Sequence, residues 1–326
     1  MTEGLGDNVE GGGQASPRAA VIGAGTMGHG IAQVLALAGY TVSLWDEHAP
    51  TLARAKERVA ASLAVFQDLE LVSPEQAADC LAHIAPGASL DEVVAPAEVV
   101  IEAVFEDLAL KQELFARLEA VASPQALLIS NTSALRISRI ADKMADPSRL
   151  VGLHFWNPPQ VVPCVEVVRG GQTGEAVFEA AAELVGRLGK EAVRVNKDIA
   201  GFLGNRMQHA LQREAMSLVE AGVASAEDVD RVVKYGFGLR LAFLGPLERA
   251  DMGGLDVTLN VQEYLLPRLD NRTTPSAKLR AMVERGELGL KSGQGYYQWS
   301  PEKARTASAK RDRALLLISK LLKDMD

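Results

Sequence analysis

Cysteine is nearly absent. Cys80 and Cys164 are the only two in 326 residues, too few for a disulfide framework or a cysteine-based zinc site. Positive charge is in deficit. Thirty-four lysines and arginines against 42 aspartates and glutamates leave a net charge of −8, without the basic footprint that duplex nucleic acid needs. No apolar run reaches the roughly 18 residues of a membrane span, so neither nucleic acid nor membrane is an expected partner. There is no H-E-x-x-H pair and no cluster of carboxylates, so no metal is expected. The G-x-x-x-x-G-K-[ST] loop is missing as well, which excludes a P-loop phosphotransferase. What is present is ordinary for a globular protein: 48% of residues are hydrophobic and 23% charged, and the length fits about two domains.

Residues 1–17 contain five glycines, three acids and no basic residue. They have neither the basic start nor the apolar core of a secretory signal. They read as a disordered leader, and the compartment as a reducing cytoplasm.

Order begins at Arg18. Short, mainly apolar segments at 19–22, 99–103, 127–130 and 150–153 and the alternating segment 41–45 read as strands, and helical periodicity falls at 26–38, 49–71 and 111–121. Strands alternating with helices imply crossover connections and a mainly parallel sheet. From Gly201 onward only amphipathic helices are legible. Phe202, Met207, Leu211, Ala215, Leu218 and Val219 form one stripe, read as core packing, and 303–323 reads as a final amphipathic helix. The expected architecture is α/β, a Rossmann-type doubly wound sheet over 18–198, followed by an all-α C-terminal domain over 199–326 for substrate binding and dimerisation.

Residues 23–28 read Gly23-Ala24-Gly25-Thr26-Met27-Gly28, a G-x-G-x-x-G between a strand and a helix. In that setting Gly23 permits the tight turn, Gly25 lets a pyrophosphate approach the backbone, and Gly28 lets helix and strand pack closely. Phosphates then sit at the positive end of the helix dipole. Asp46 ends the second strand 18 residues after Gly28. A carboxylate there accepts ribose hydroxyls and repels a 2′-phosphate, which favours NAD over NADP. The glycines alone leave an FAD enzyme open, and the catalytic signature argues against it.

The second signature is Gly152-Leu153-His154-Phe155-Trp156-Asn157-Pro158-Pro159, which puts a histidine just past a strand. Ligands of open parallel sheets gather at that end of the strands. Twelve residues on, Glu166 interrupts the apolar run 165–168. A carboxylate there needs a partner, and a histidine it orients becomes a general base. His154 would take the proton of a substrate hydroxyl while hydride passes to NAD. His29, His48, His83 and His209 have no comparable setting; His29, in the cofactor helix, reads as surface or packing.

Taken together, these motifs resemble the L-3-hydroxyacyl-CoA dehydrogenase superfamily over residues 19–299. Further markers are Val100-Ile101-Glu102-Ala103 with Glu106 and Lys111, Ser130-Asn131-Thr132-Ser133, Val165-Glu166-Val167, Gly201-Phe202 with Asn205-Arg206, Gly245-Pro246, and residues 291–297. The resemblance implies that His154 and Glu166 are the catalytic pair. It implies that Ser133 and Asn205 bond the substrate oxygen or steady the histidine. Glu106, Lys111, Asn131 and Asn157 would join Gly23, Gly25, Thr26, Met27, Gly28 and Asp46 as cofactor contacts. By spacing alone, Ser133 reads as a strand-end serine and Asn205 as a helix cap. The family also implies a homodimer formed through the helical half.

Two stretches depart from the acyl-CoA pattern. Residues 61–70, where acyl-CoA members are basic, hold no lysine or arginine and two acids; only Lys56 and Arg58 lie nearby. Residues 157–163 and 238–246 look more like the branch acting on free hydroxy acids, as in lambda-crystallin (L-gulonate dehydrogenase) and carnitine dehydrogenase. In that branch Arg240 would clamp a substrate carboxylate. The expected activity is NAD-dependent oxidation of a secondary 3-hydroxyl to a ketone, on an acyl-CoA or a small free acid. An aldehyde-oxidising relative would use the same histidine, with Trp156 stacking on an aromatic substrate.

Overall fold

The computed structural model describes residues 16–323. The expected leader lies outside the described residues except for its last two positions. The chain divides into two compact units at the Ala200–Gly201 bond.

The first unit is built on an eight-stranded sheet of order β3-β2-β1-β4-β5-β6-β7-β8. Its strands are β1 (Arg18–Ile22), β2 (Thr41–Trp45), β3 (Ile84–Pro86), β4 (Val99–Glu102), β5 (Leu127–Ser130), β6 (Leu150–Phe155), β7 (Cys164–Val168) and β8 (Glu191–Val195). Neighbours are parallel except for β6 and β7. Helices α1 (Gly28–Leu37), α2 (Ala49–Asp68), α3 (Pro74–Ala82), α4 (Leu90–Val94), α5 (Leu108–Val121), α6 (Ile137–Ile140) and α7 (Glu175–Arg187) fill the connections. β4 and β6 are buried at every position, including Glu102 and His154, as strands in a sheet covered on both faces are. Val21, Ile31, Val42, Ile101, Leu153 and Val185 belong to one core.

The helix expected over 49–71 is α2, and a separate helix, α3, follows beyond it. α2 stops at Asp68, Glu70 takes a left-handed φ of 57°, and α3 starts at a capping box. There Ser73 accepts from the Gln76 amide and the Gln76 side chain accepts from the Ser73 amide. The three-residue β3 is too short for a periodicity to register.

Register fixes the functional edge. Ile22 pairs with Glu102, Glu102 with Ser130, and Ser130 with Gly152. The segments that leave β1, β4 and β5 and the last turn of β6 therefore emerge side by side at one carboxyl edge.

The second unit holds α8 (Gly204–Glu220), α9 (Ala226–Val232), α10 (Gly238–Leu241), α11 (Pro246–Gly253), α12 (Leu255–Leu265), α13 (Ala277–Glu284) and α14 (Pro301–Lys323). Among its described residues the only β pairing is in isolated bridges at Gly289–Gln294 and Gln294–Gln298. Of the stripe expected as core packing, Phe202 is fully buried, but the part on α8 is not. No α8 residue is buried, and Met207 and Leu211 are exposed. The chain enters this unit through two left-handed residues, Gly201 at φ 74° and Phe202 at φ 48°. For a bulky residue such as Phe202 that conformation costs on the order of 1–3 kcal/mol.

Candidate active site

The loop between β1 and α1 is shaped by steric necessity. Gly23 has φ 103°, its amide donates to the Trp45 carbonyl at 2.7 Å, and a Cβ there would lie 2.6 Å from the Ala103 carbonyl oxygen. A Cβ on Gly28 would lie 1.7 Å from the Gly23 carbonyl oxygen, so only glycine lets α1 start this close to the strand. At Gly25 a Cβ would meet nothing within 4 Å, so the backbone there faces open space. The Asp46 carboxylate braces the loop, with Oδ2 accepting from the Ala24 amide at 2.7 Å and Oδ1 from the His48 amide at 2.8 Å. Each oxygen keeps a lone pair for a hydroxyl.

His29 Nδ1 donates to the Gly25 carbonyl at 2.7 Å. Burial holds this imidazole below its ordinary value against the Gly25 bond, helped by Arg58, so the ring is neutral near pH 7. It is a brace of the glycine loop, a role its sequence setting did not signal. Beside the loop is a cavity of about 560 Å³ bordered by Thr26, Met27 and Asp46 and by the apolar Leu90, Val104, Leu110 and Leu114. Backbone amides at a helix start, a carboxylate and apolar walls fit a dinucleotide's phosphates, ribose and adenine.

Behind the next two loops lies a buried ion pair. Lys111, 1% exposed, donates from Nζ to Glu102 Oε1 at 2.5 Å and stands 3.4 Å from Glu106 Oε2. Glu102 also accepts from the Val104 amide at 2.8 Å and from the Ser130 hydroxyl at 2.7 Å. Burial pushes the Glu102 carboxyl up; Lys111, Ser130 and Val104 oppose it. Glu106 Oε1 accepts from the Thr132 hydroxyl at 2.6 Å and from the amides of Ser133 and Ala134 at 2.9 and 3.0 Å. Burial opposes its charge, but Thr132, Lys111 and those amides together hold Glu106 below the usual carboxylate range. Glu106 and Lys111, expected as cofactor contacts, are thus tied to the turn that carries Ser133.

His154 and Glu166 occupy directly opposed positions on the antiparallel pair β6 and β7. Their side chains are 5% and 2% exposed as residues, and His154 Nδ1 lies 2.7 Å from Glu166 Oε2. A carboxylate accepts only, so Nδ1 carries the proton and Nε2 is the basic nitrogen of the ring. The Phe155 amide donates to the side-chain oxygen of Asn131 at 3.0 Å, which ties the end of β6 to the Ser133 turn. The Trp156 ring stands 5.3 Å from the His154 ring at 49°. Asn157 is exposed and precedes a cis bond to Pro158.

The first unit therefore brings Gly23, Gly25, Asp46, Glu106, Lys111, Asn131, Ser133, His154 and Glu166 to one edge. Asn205 and Arg240 belong to the second unit, Asn205 in the first turn of α8 and Arg240, exposed, on α10. Among the described residues no group of three or more His, Cys, Asp or Glu side chains is placed to hold a metal ion.

Comparison with known proteins agrees with this geometry. Residues 18–199 match the family model described as 3-hydroxyacyl-CoA dehydrogenase, NAD binding domain, and residues 201–299 match the 3-hydroxyacyl-CoA dehydrogenase C-terminal domain. A 5-formyl-3-hydroxy-2-methylpyridine 4-carboxylate 5-dehydrogenase of Mesorhizobium japonicum is 31% identical, over 93% of this chain and 97% of that protein. A 3-hydroxybutyryl-CoA dehydrogenase of Bradyrhizobium diazoefficiens is 37% identical, over 86% and 94%. Among solved structures, a 5-formyl-3-hydroxy-2-methylpyridine 4-carboxylic acid 5-dehydrogenase, described as an NAD+-dependent dismutase, superposes with a TM-score of 0.88 at 31% identity, covering 95% of this chain and 99% of its own. An (S)-3-hydroxybutyryl-CoA dehydrogenase from Ralstonia eutropha gives 0.72 at 34% identity, covering 88% and 100%.

The buried pair generates a stability prediction. Glu102→Ala leaves the Lys111 ammonium without its closest carboxylate and costs about 3–5 kcal/mol in urea denaturation, whereas Glu102→Leu combined with Lys111→Met costs less than the single change. A single-variant loss below about 1 kcal/mol would show that the pair does not hold the edge together.

Proposed function

The chain belongs to the 3-hydroxyacyl-CoA dehydrogenase family, and we propose that His154, oriented by Glu166, is the general base that takes the proton of a secondary 3-hydroxyl during its oxidation to a ketone. The protein is an NAD-dependent oxidoreductase. The observation that carries the reading is the 2.7 Å bond between His154 Nδ1 and Glu166 Oε2 in a nearly water-free setting. Bound NAD supplies the hydride acceptor. His154 receives the hydroxyl proton on Nε2, and Glu166 stabilises the imidazolium that results. Ser133 donates to the substrate oxygen as its carbonyl forms, and Asn205 assists on the same oxygen. Gly23, Gly25, Thr26, Met27 and Gly28 hold the pyrophosphate, Asp46 the adenosine ribose, and Glu106, Lys111, Asn131 and Asn157 the nicotinamide side.

The substrate is a small free acid. Support comes from residues 61–70, which offer no cation to CoA phosphates, and from Lys56, which donates to the Ile84 carbonyl at 3.4 Å. Arg240, exposed on α10, is the carboxylate clamp. A CoA ester would instead place the enzyme in fatty-acid metabolism. A second reading, oxidation of a hydrated aldehyde on an aromatic acid, is favoured by the Trp156 ring beside His154 and by the TM-score of 0.88 to the pyridine carboxylate dehydrogenase.

The working form is a homodimer in the cytoplasm. None of the residues of α8 to α12 is buried, and Leu247 and Met252 are 80% and 78% exposed. So large an apolar surface calls for a second copy over it. No helix among the described residues is long and apolar enough to cross a membrane. Both cysteines are free, and burial, with Asp79 beside Cys80 and with Glu166 and Glu191 near Cys164, pushes both thiols up to about 11, as suits a reducing compartment.

His154→Asn should lower kcat by about 10²–10⁴-fold and leave NAD affinity in place; turnover at the native rate would remove His154 from the mechanism. NADH formation should follow gulonate, carnitine or the formylpyridine carboxylate and fail with 3-hydroxybutyryl-CoA, while turnover of the CoA ester alone would defeat the free-acid reading and the Arg240 clamp. In sedimentation equilibrium the protein should show twice the chain mass; a single-chain mass at micromolar concentration contradicts the dimer.

A further inference from the structure

We propose that Asp198, far from Ser133 in sequence, is a positioning residue that fixes the direction of the Ser133 hydroxyl; the proposal rests on the reading that Ser133 meets the substrate oxygen. The turn of residues 131–138 leaves β5 and enters α6. At its start, Glu106 Oε1 takes the Thr132 hydroxyl and the amides of Ser133 and Ala134. At its end, Asp198 Oδ1 takes the Ile137 amide at 3.0 Å, and Oδ2 takes the Ser138 amide at 2.8 Å and the Ser138 hydroxyl at 2.5 Å. The Asp198 side chain is 4% exposed. Arg136 completes the clasp, with Nε donating to the Asp198 carbonyl at 3.1 Å and standing 3.8 Å from Oδ2.

Ser133 is therefore strung between two carboxylates. Glu106 grips residues 132–134, and Asp198 grips residues 136–138. Asp198 borders neither the glycine loop nor the cavity beside it, and it contacts neither His154 nor Glu166. Its bonds go to the backbone that aims Ser133. A donor displaced by about 1 Å loses on the order of 10²-fold in rate, so a turn pinned at one end only costs turnover even when the fold survives. Asp198 also lies three residues before Gly201, where the left-handed stretch begins.

Asp198→Asn removes the charge and sets an amide nitrogen against one of the turn's donors. It should lower kcat about tenfold with the NAD dissociation constant unchanged, and should speed hydrogen exchange at the amides of 132–138. Ser138→Ala, which deletes one bond and keeps the backbone contacts, should show the same pattern at about two- to threefold, and it carries the test if Asp198→Asn does not fold. Added to Ser133→Ala, either change should cost nothing more, because its effect passes through that hydroxyl. Losses that multiply, or exchange at 132–138 that stays at the native rate, overturn the proposal and leave the role of Ser133 standing. Native turnover in Ser133→Ala itself overturns the role of Ser133 and the proposal with it.

Discussion

Everything at the functional edge depends on one rung of one strand pair. β6 and β7 are the only antiparallel neighbours in the sheet, and the register of that pair sets His154 across from Glu166. A one-residue slip of β7 would turn Glu166 to the face away from His154 and bury an unpaired carboxylate. The bond between them therefore constrains the strand register, and the register in turn fixes which ring nitrogen is basic.

A related rule governs other acids of the first unit. Asp46, Glu102, Glu106 and Asp198 each accept two or more hydrogen bonds from backbone or side-chain donors. Loops that would otherwise be mobile are tied to the sheet through these carboxyl groups. Such preorganisation lowers the cost of aligning a donor and a base when substrate arrives. The Lys111–Glu102 pair shows the other side of this arrangement: burial penalises the charge, and the surrounding donors offset the penalty.

Much of this was legible in the sequence. Short apolar runs mark β1, β4, β5 and β6, and a glycine motif followed by Asp46 marks the loop between β1 and α1 that the carboxylate braces. Glu166 was readable because a carboxylate inside an apolar strand needs a partner. Glu102 carries the identical signal, an acid ending the apolar run 99–101, and the same reasoning applied to it would have found Lys111. Other features leave no local trace. The direction of β7 depends on a turn, not on composition. Asp198 and Glu106 act on a segment distant in sequence, and no spacing rule connects them. The stripe on α8 has the pattern of a core helix, yet periodicity records only that a face is apolar and not how deeply it is buried.

The central claim is the tautomer of one ring. ¹⁵N NMR of protein labelled at histidine, recorded at alkaline pH where imidazoles are neutral, reads it directly. With Glu166 as acceptor, the His154 signals should report a proton on Nδ1 and an unprotonated, basic Nε2. A proton found on Nε2 would leave no nitrogen there to receive the substrate's proton and would contradict the account.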